Sequence, residues 1–265
     1  MRVRSVLVLA ALTATVLTAA PASAAPDSDP QGPVIGGHYG HGANGPGSYA
    51  TLIDVHEIKP YKGKPGGGGG KPGGGGGGGK PAPAPNCSND QAFEADSGYQ
   101  ALSWRIGNDT AHLNPATVPG HLGNVTDELQ ASWNAWTGAP AVTQSTGSSV
   151  TKYTANTVND ILWGRTGGSL ATTYTWRWSN GDVESDVVFD KGVTWAHIPE
   201  SGDGCNEAVG GYDVANIATH EFGHVYGLDH PAGARWATMY AYGYSGETLK
   251  RDPESAELQG IDALY

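Results

Sequence analysis

Two uninterrupted glycine tracts, Gly66 to Gly70 and Gly73 to Gly79, cut across the first third of this 265-residue chain. A run of that kind has no side chains to bury and no single preferred backbone conformation. The tracts lie in a longer segment, 25–85, which also carries a GGHYGHG run around His38 and His41, repeated Lys-Pro pairs and a closing Pro-Ala-Pro-Ala-Pro. By composition this segment reads as a low-complexity tether or a pro-segment with little to build a core from. Residues 86–265, in contrast, hold all eight tryptophans and are long enough for one domain with a substantial core.

The chain's beginning sets its compartment. Arg2 and Arg4, the apolar run from Val6 to Ala20 and the small-x-small triplet Ala22-Ser23-Ala24 make residues 1–24 a secretory signal peptide. No later run approaches the roughly 20 apolar residues of a membrane span, so the expected location is secreted and extracellular. Lys and Arg total 15 against 26 Asp and Glu, a net charge of −11 concentrated in 86–265, which disfavours nucleic acid and anionic lipid as partners. Cys87 and Cys205 are the two cysteines. In an oxidising compartment a disulfide between them is the default, the rival being a free Cys87 thiolate that masks a metal in a latent form. A monomer is the expected state.

Periodicity within 86–265 gives a coarse order of elements. Alternation over Tyr99 to Ile106 predicts a first strand. From Val118, apolar Leu122, Val125, Leu129, Trp133 and Trp136 recur at three and four and predict a helix ended by Gly138. Short strands follow around Ala141 to Thr143, Asp160 to Trp163, Ser169 to Trp176 and Val183 to Phe189. A second helix opens with Asp213 as N-cap, and a third opens at Asp252 with Pro253 in its first turn and Leu258, Ile261 and Leu264 as its buried stripe. The sum is an α+β fold on a mixed sheet with an active-site helix and a C-terminal helix.

The chemistry gathers in His220-Glu221-Phe222-Gly223-His224-Val225-Tyr226-Gly227-Leu228-Asp229-His230. Residues four apart share a helix face, so His220 and His224 can point two imidazoles at one zinc ion about 2.0 to 2.1 Å away. Gly227 is suited to a left-handed turn that ends the helix and returns His230 as a third ligand. Three neutral nitrogens leave a fourth tetrahedral position for water, whose pKa zinc lowers toward about 7. Glu221 stands beside them as the general base. The residue types and spacing imply metal-assisted hydrolysis.

The short motif HExxH arises by chance about once in a hundred chains of this composition, and requiring Gly227 and His230 as well lowers that below roughly one in ten thousand. His112, His121 and His197 stand singly and read as surface or satisfied core residues. Two other function classes stay open: a secreted binding or surface module with an inert zinc domain, and a zinc amidase acting on a non-protein substrate. Cleavage of denatured protein by the purified chain speaks against the first, and a substrate panel separates the second.

These residues resemble those of the metzincin zinc peptidases, matrixin-like members in particular, over Tyr99 to Tyr265. Beside HEFGHVYGLDH the resemblance rests on Ala237-Thr238-Met239-Tyr240, which is similar to the Met-turn, and on the closing AELQGIDALY. Ser169-Leu170-Ala171 and Asp186-Val187-Val188-Phe189-Asp190 resemble the edge strand and its neighbour. The resemblance implies a secreted zinc endopeptidase with His220, His224 and His230 on zinc, Glu221 as general base and Met239 beneath the metal. It further implies that Leu170 and Ala171 bind a protein or peptide substrate by strand addition. The loop from Tyr240 to Lys250 then walls the pocket just after the scissile bond, with Tyr240 and Tyr242 as substrate contacts and Tyr240, Tyr242 or Tyr244 as oxyanion donors. Thr172 and Val188 stand where animal-type members place structural-zinc ligands, so that site is expected to be missing. Asp182, Glu184, Asp186 and Asp190 are candidates for calcium, with an acidic solvated face as the alternative.

Overall fold

Val183–Asp190 is buried along its whole length, the mark of a strand covered on both faces of a sheet. It is one of twelve strands in a computed structural model that describes residues 38–39, 48–61, 98–106, 110–200, 204–206, 208–231 and 237–265. All of these belong to one compact unit, Val34–Tyr265. Residues 1–24, expected to be a signal peptide, both glycine tracts and Cys87 lie outside the described residues.

The strands are β1 (His38–Tyr39), β2 (Ala50–Pro60), β3 (Gln100–Ala101), β4 (Thr110–Leu113), β5 (Thr143–Ser145), β6 (Asn159–Gly164), β7 (Ala171–Trp178), β8 (Val183–Asp190), β9 (Trp195–Ala196), β10 (Tyr212–Asp213), β11 (Leu228–Asp229) and β12 (Tyr242–Gly243). Three helices, α1 (Thr126–Asn134), α2 (Val214–Tyr226) and α3 (Ser255–Leu264), complete the α+β fold. The main sheet runs β1-β2-β7-β8-β6-β4-β5, with β12 on β2. Strands β5, β4, β6 and β8 are mutually parallel, β7 is antiparallel to β8, and β2 is antiparallel to β7. Helix α2 packs on β7, β2 and β8, with α1 beside it. Trp133 of α1 stacks flat on Phe222 of α2 at 3.6 Å between ring centroids, an aromatic contact worth about 0.5–1.5 kcal/mol beyond the area it buries.

The largest departure from the sequence reading falls in the segment taken as a tether. Residues 50–60 form an eleven-residue strand in the main sheet, because between the glycine-rich runs the chain reads ATLIDVHEIKP, rich in branched side chains. A register shift between Leu52 and Asp54 marks a bulge, and a bulge moves later side chains to the other face. Ala50 and Leu52 therefore pack with Trp176 and Trp178 on one face, whereas Ile58 joins the core beneath α2 on the other.

Other boundaries shift as well. Of Tyr99 to Ile106 only Gln100–Ala101 is strand, paired with β11, and within 86–265 the first strand of the main sheet is Thr110–Leu113. The helix expected from Val118 begins at Thr126. Pro115 and Pro119 direct the preceding chain into two 3₁₀ turns, consistent with the fixed φ of proline. The third helix starts at Ser255 rather than Asp252. Glu254 is its N-cap and forms a capping box with Glu257, so Pro253 lies before the helix.

Candidate active site

Asp213 caps α2 by accepting from the Asn216 N–H at 2.7 Å, and Arg251 donates to both oxygens of the same carboxylate, at 2.6 and 2.8 Å. The start of the helix is thereby pinned. Its end is set by Gly227, at φ 100° and ψ 24°. A Cβ there would stand 2.6 Å from the Trp104 carbonyl oxygen, so glycine is needed for both conformation and space. The chain then turns into β11 and delivers His230.

The result is a triangle of imidazole nitrogens. His224 Nε2 lies 3.1 Å from His220 Nε2 and 3.1 Å from His230 Nε2, and the third edge is 3.3 Å. Bonds of 2.0–2.1 Å to a tetrahedral ion require ligand atoms about 3.3 Å apart, so the spacing fits one zinc-sized cation. The far side of two rings is held: His220 Nδ1 donates to Thr238 O at 2.6 Å and His224 Nδ1 to Leu228 O at 2.7 Å. Those bonds fix the proton on Nδ1 and leave Nε2 as a lone-pair donor. Burial holds His220 and His224 far below the usual imidazole range and His230 at about 3, so all three are neutral at pH 7, the form that binds metal.

Glu221 is fully buried next to this triangle. Thr173 Oγ1 of β7 donates to its Oε2 at 2.5 Å, while Oε1 has no hydrogen-bond partner. Burial pushes the carboxyl up to about 8, against the pull of Thr173 and of the Ile58 N–H. An orphaned carboxylate oxygen beside three free imidazole lone pairs suits a cation and the water on it. Among the described residues, this triad is the one group of His, Cys, Asp and Glu side chains arranged to hold a metal.

Met239 lies under the helix. A Cβ on Gly223 would come within 2.2 Å of its Sδ, so the absence of a side chain at 223 lets the sulfur reach the backbone next to His224. Glu257 of α3 holds the turn, accepting from Met239 N at 2.6 Å and Thr238 N at 3.2 Å, and so fixes the carbonyl that orients His220. Sequence reasoning missed Glu257, whose partners are backbone groups that no side-chain pattern reveals.

The family model of the matrixins, peptidase family M10, matches residues 99–265. The chain belongs to the matrixin family. Matrixins are zinc metalloendopeptidases, so this chain is a hydrolase of that class and its substrates are proteins or peptides.

In this matrixin β2 lies between the two segments expected to touch substrate. Leu170 N donates to Ile58 O at 2.7 Å, Lys59 N to Ala241 O at 2.9 Å and Tyr61 N to Gly243 O at 2.9 Å. Ala171 pairs with Ile58 and Tyr242 with Lys59. The Tyr244 ring is buried against Tyr61 at 4.2 Å, and the Lys250 ammonium sits 5.6 Å from the Tyr240 ring. Lys250 also bonds Glu247 at 2.9 Å with both side chains buried, which ties down the wall. A second missed residue is His56, whose ring stacks on His224 at 4.2 Å and whose Nε2 meets Asp229 Oδ1 at 3.0 Å. A run of branched residues free of glycine around it was the available signal.

The acidic candidates for calcium accept hydrogen bonds from neighbouring backbone and side-chain groups. Asp186 accepts from Thr154 N and Asp160 N, at 2.8 and 3.0 Å; Glu184 accepts from Asn156 N, Thr157 N and Trp178 Nε1. Asp190 accepts from Thr166 N at 3.0 Å, and exposed Asp182 from Asn180 at 2.7 Å. Thr172 and Val188 face each other across β7 and β8. His112, His121 and His197 each have a partner, in Ser145, the Trp195 carbonyl and the Leu122 carbonyl. Among the described residues no helix is long and apolar enough to cross a membrane.

Proposed function

We propose that this matrixin is a secreted, extracellular zinc endopeptidase in which His220, His224 and His230 hold the metal and Glu221 moves the proton. The observation that carries the reading is the set of three bare Nε2 atoms 3.1–3.3 Å apart beside a buried carboxylate with one unpartnered oxygen. The chemistry that zinc supplies when bound is Lewis acidity toward a water molecule and a peptide carbonyl. Glu221 takes a proton from the attacking water and delivers it to the leaving nitrogen. Thr173 restrains Oε2, which leaves Oε1 to do so, and burial raises the carboxyl's proton affinity toward the working pH. Met239 and Glu257 position His220. Leu170, Ala171 and the wall around Tyr242 align the substrate backbone by strand addition.

Residues 1–24 act as the signal peptide in this reading. Cys87 and Cys205 form a disulfide, a pairing favoured by the want of any free cysteine among the described residues, and the enzyme works as a monomer. The test is mass mapping of peptides released from a denatured protein mixture. Cleavage that stops with a chelator and returns with zinc is expected; cleavage indifferent to chelation contradicts the proposal.

A further inference from the structure

The cleft already holds a peptide, and it is the chain's own. An edge strand and a wall segment that run in opposite directions admit between them a peptide antiparallel to one and parallel to the other, and β2 is antiparallel to β7 and parallel to β12. We infer that β2 is the enzyme's first substrate, bound in the productive direction, and that the bond between Glu57 and Ile58 is cut in cis by Glu221 and the metal held at the His triad. The inference rests on the endopeptidase reading and adds the identity of a substrate.

Three observations place that bond. The Ile58 carbonyl is held by Leu170 N on β7, and the next amide, Lys59 N, by Ala241 O on the wall, so the backbone is fixed on both sides of residue 58. Successive carbonyls of a strand alternate in direction, and Glu57 C=O therefore points away from β7. The Ile58 side chain is fully buried near Leu170, Ile217 and Gly243, where a Cβ on Gly243 would touch the ends of all three neighbours. The side chain is thus enclosed by apolar groups of the edge segment, α2 and the wall, on the side of the bond that the leaving amine occupies. On the other side of the bond, His56 is stacked on His224 and bonded to Asp229, so the strand touches the triad one residue before the 57–58 amide.

The step balances as a hydrolysis. The water oxygen bonds to the Glu57 carbonyl carbon, and the C–N bond to Ile58 breaks. One water proton reaches the Ile58 nitrogen through Glu221, and the other passes from the new acid to the amine, leaving a Glu57 carboxylate and an Ile58 ammonium. While the bond is intact, β2 excludes other peptides. Its cleavage lets the N-terminal piece leave and opens the cleft.

The experiment follows full-length chain, purified with chelator, after zinc is added. Intact mass and N-terminal sequencing are expected to show a product beginning at Ile58, formed at a fractional rate independent of protein concentration. The product is expected to be missing with chelator and in Glu221→Ala. Cleavage of a quenched fluorogenic peptide should rise in step with it. Ile58→Glu, which cannot seat a carboxylate in the apolar pocket, should lose the 57–58 cut and start peptide cleavage without a lag, at least about tenfold faster at early times. In metal-free protein, hydrogen exchange at amides 54–60 should be slow in the wild type and fast in Ile58→Glu, with α2 slow in both. Peptide cleavage at full rate with the 57–58 bond uncut, or an Ile58→Glu chain whose strand stays protected, overturns the inference and makes β2 a permanent strand. A chain that cuts neither its own bond nor any added peptide, Ile58→Glu included, overturns the endopeptidase reading itself.

Discussion

The His triad and the strand across it are in ring contact, yet they come from opposite kinds of sequence. The triad is assembled within ten positions of the chain, where one helical turn and one glycine bend fix the geometry locally. The strand reaches its place from far upstream, with His56 bonded to a residue 173 positions away. Local geometry makes the first pattern readable in one dimension. The second depends on an unpaired edge at β7 and an apolar enclosure formed by the edge segment, α2 and the wall, which exist only once the domain has folded.

His224 belongs to the triad and also lies under His56, so its loss shows how far the two regions depend on each other. His224→Ala is expected to lose bound metal, by elemental analysis, and to lower peptide cleavage by more than about 10³-fold, while β2, short of one ring stack, loosens by less than about 1 kcal/mol in hydrogen exchange. Asp213→Ala acts at the start of the triad's helix, where the carboxylate also holds the Ile198 N–H. It removes the cap and leaves the Arg251 guanidinium without its bidentate partner, which should cost about 3 kcal/mol in denaturant unfolding.

Much of the triad's surroundings was legible for the same local reason. The spacing of His220, His224 and Gly227 dictates the turn that brings His230 back, and the Asp213 cap is where the helix begins. Strands β6, β7 and β8 were legible as apolar and branched runs between turn residues. The first helix was less so, because Leu122 and Val125 keep a helical spacing through 3₁₀ turns set by Pro115 and Pro119. In β2 the composition of 25–85 drowned eleven residues of strand in glycine, and the bulge after Leu52 broke the alternation that would have marked it. Glu257 binds backbone N–H groups and His56 stacks on a distant ring, so neither leaves a periodic trace.

Two smaller effects sharpen the contrast. Thr173→Val removes the hydroxyl that lowers the Glu221 pKa. The folded carboxyl should then hold its proton to higher pH, shifting the acid limb of kcat/KM upward by about one unit, with a loss of up to about tenfold at pH 7. His56→Ala touches the strand side alone. It gives up the stack on His224 and the bond to Asp229, so β2 should loosen by about 1 kcal/mol in hydrogen exchange, with metal content unchanged.

The central claim is that a buried carboxylate, working beside a metal held by three imidazoles, carries the proton of peptide hydrolysis. The most direct measurement is peptide cleavage by Glu221→Ala at matched zinc content. One zinc per chain with cleavage reduced by about 10²–10⁴-fold is the predicted result; cleavage within a few-fold of wild type, with zinc bound, would contradict it.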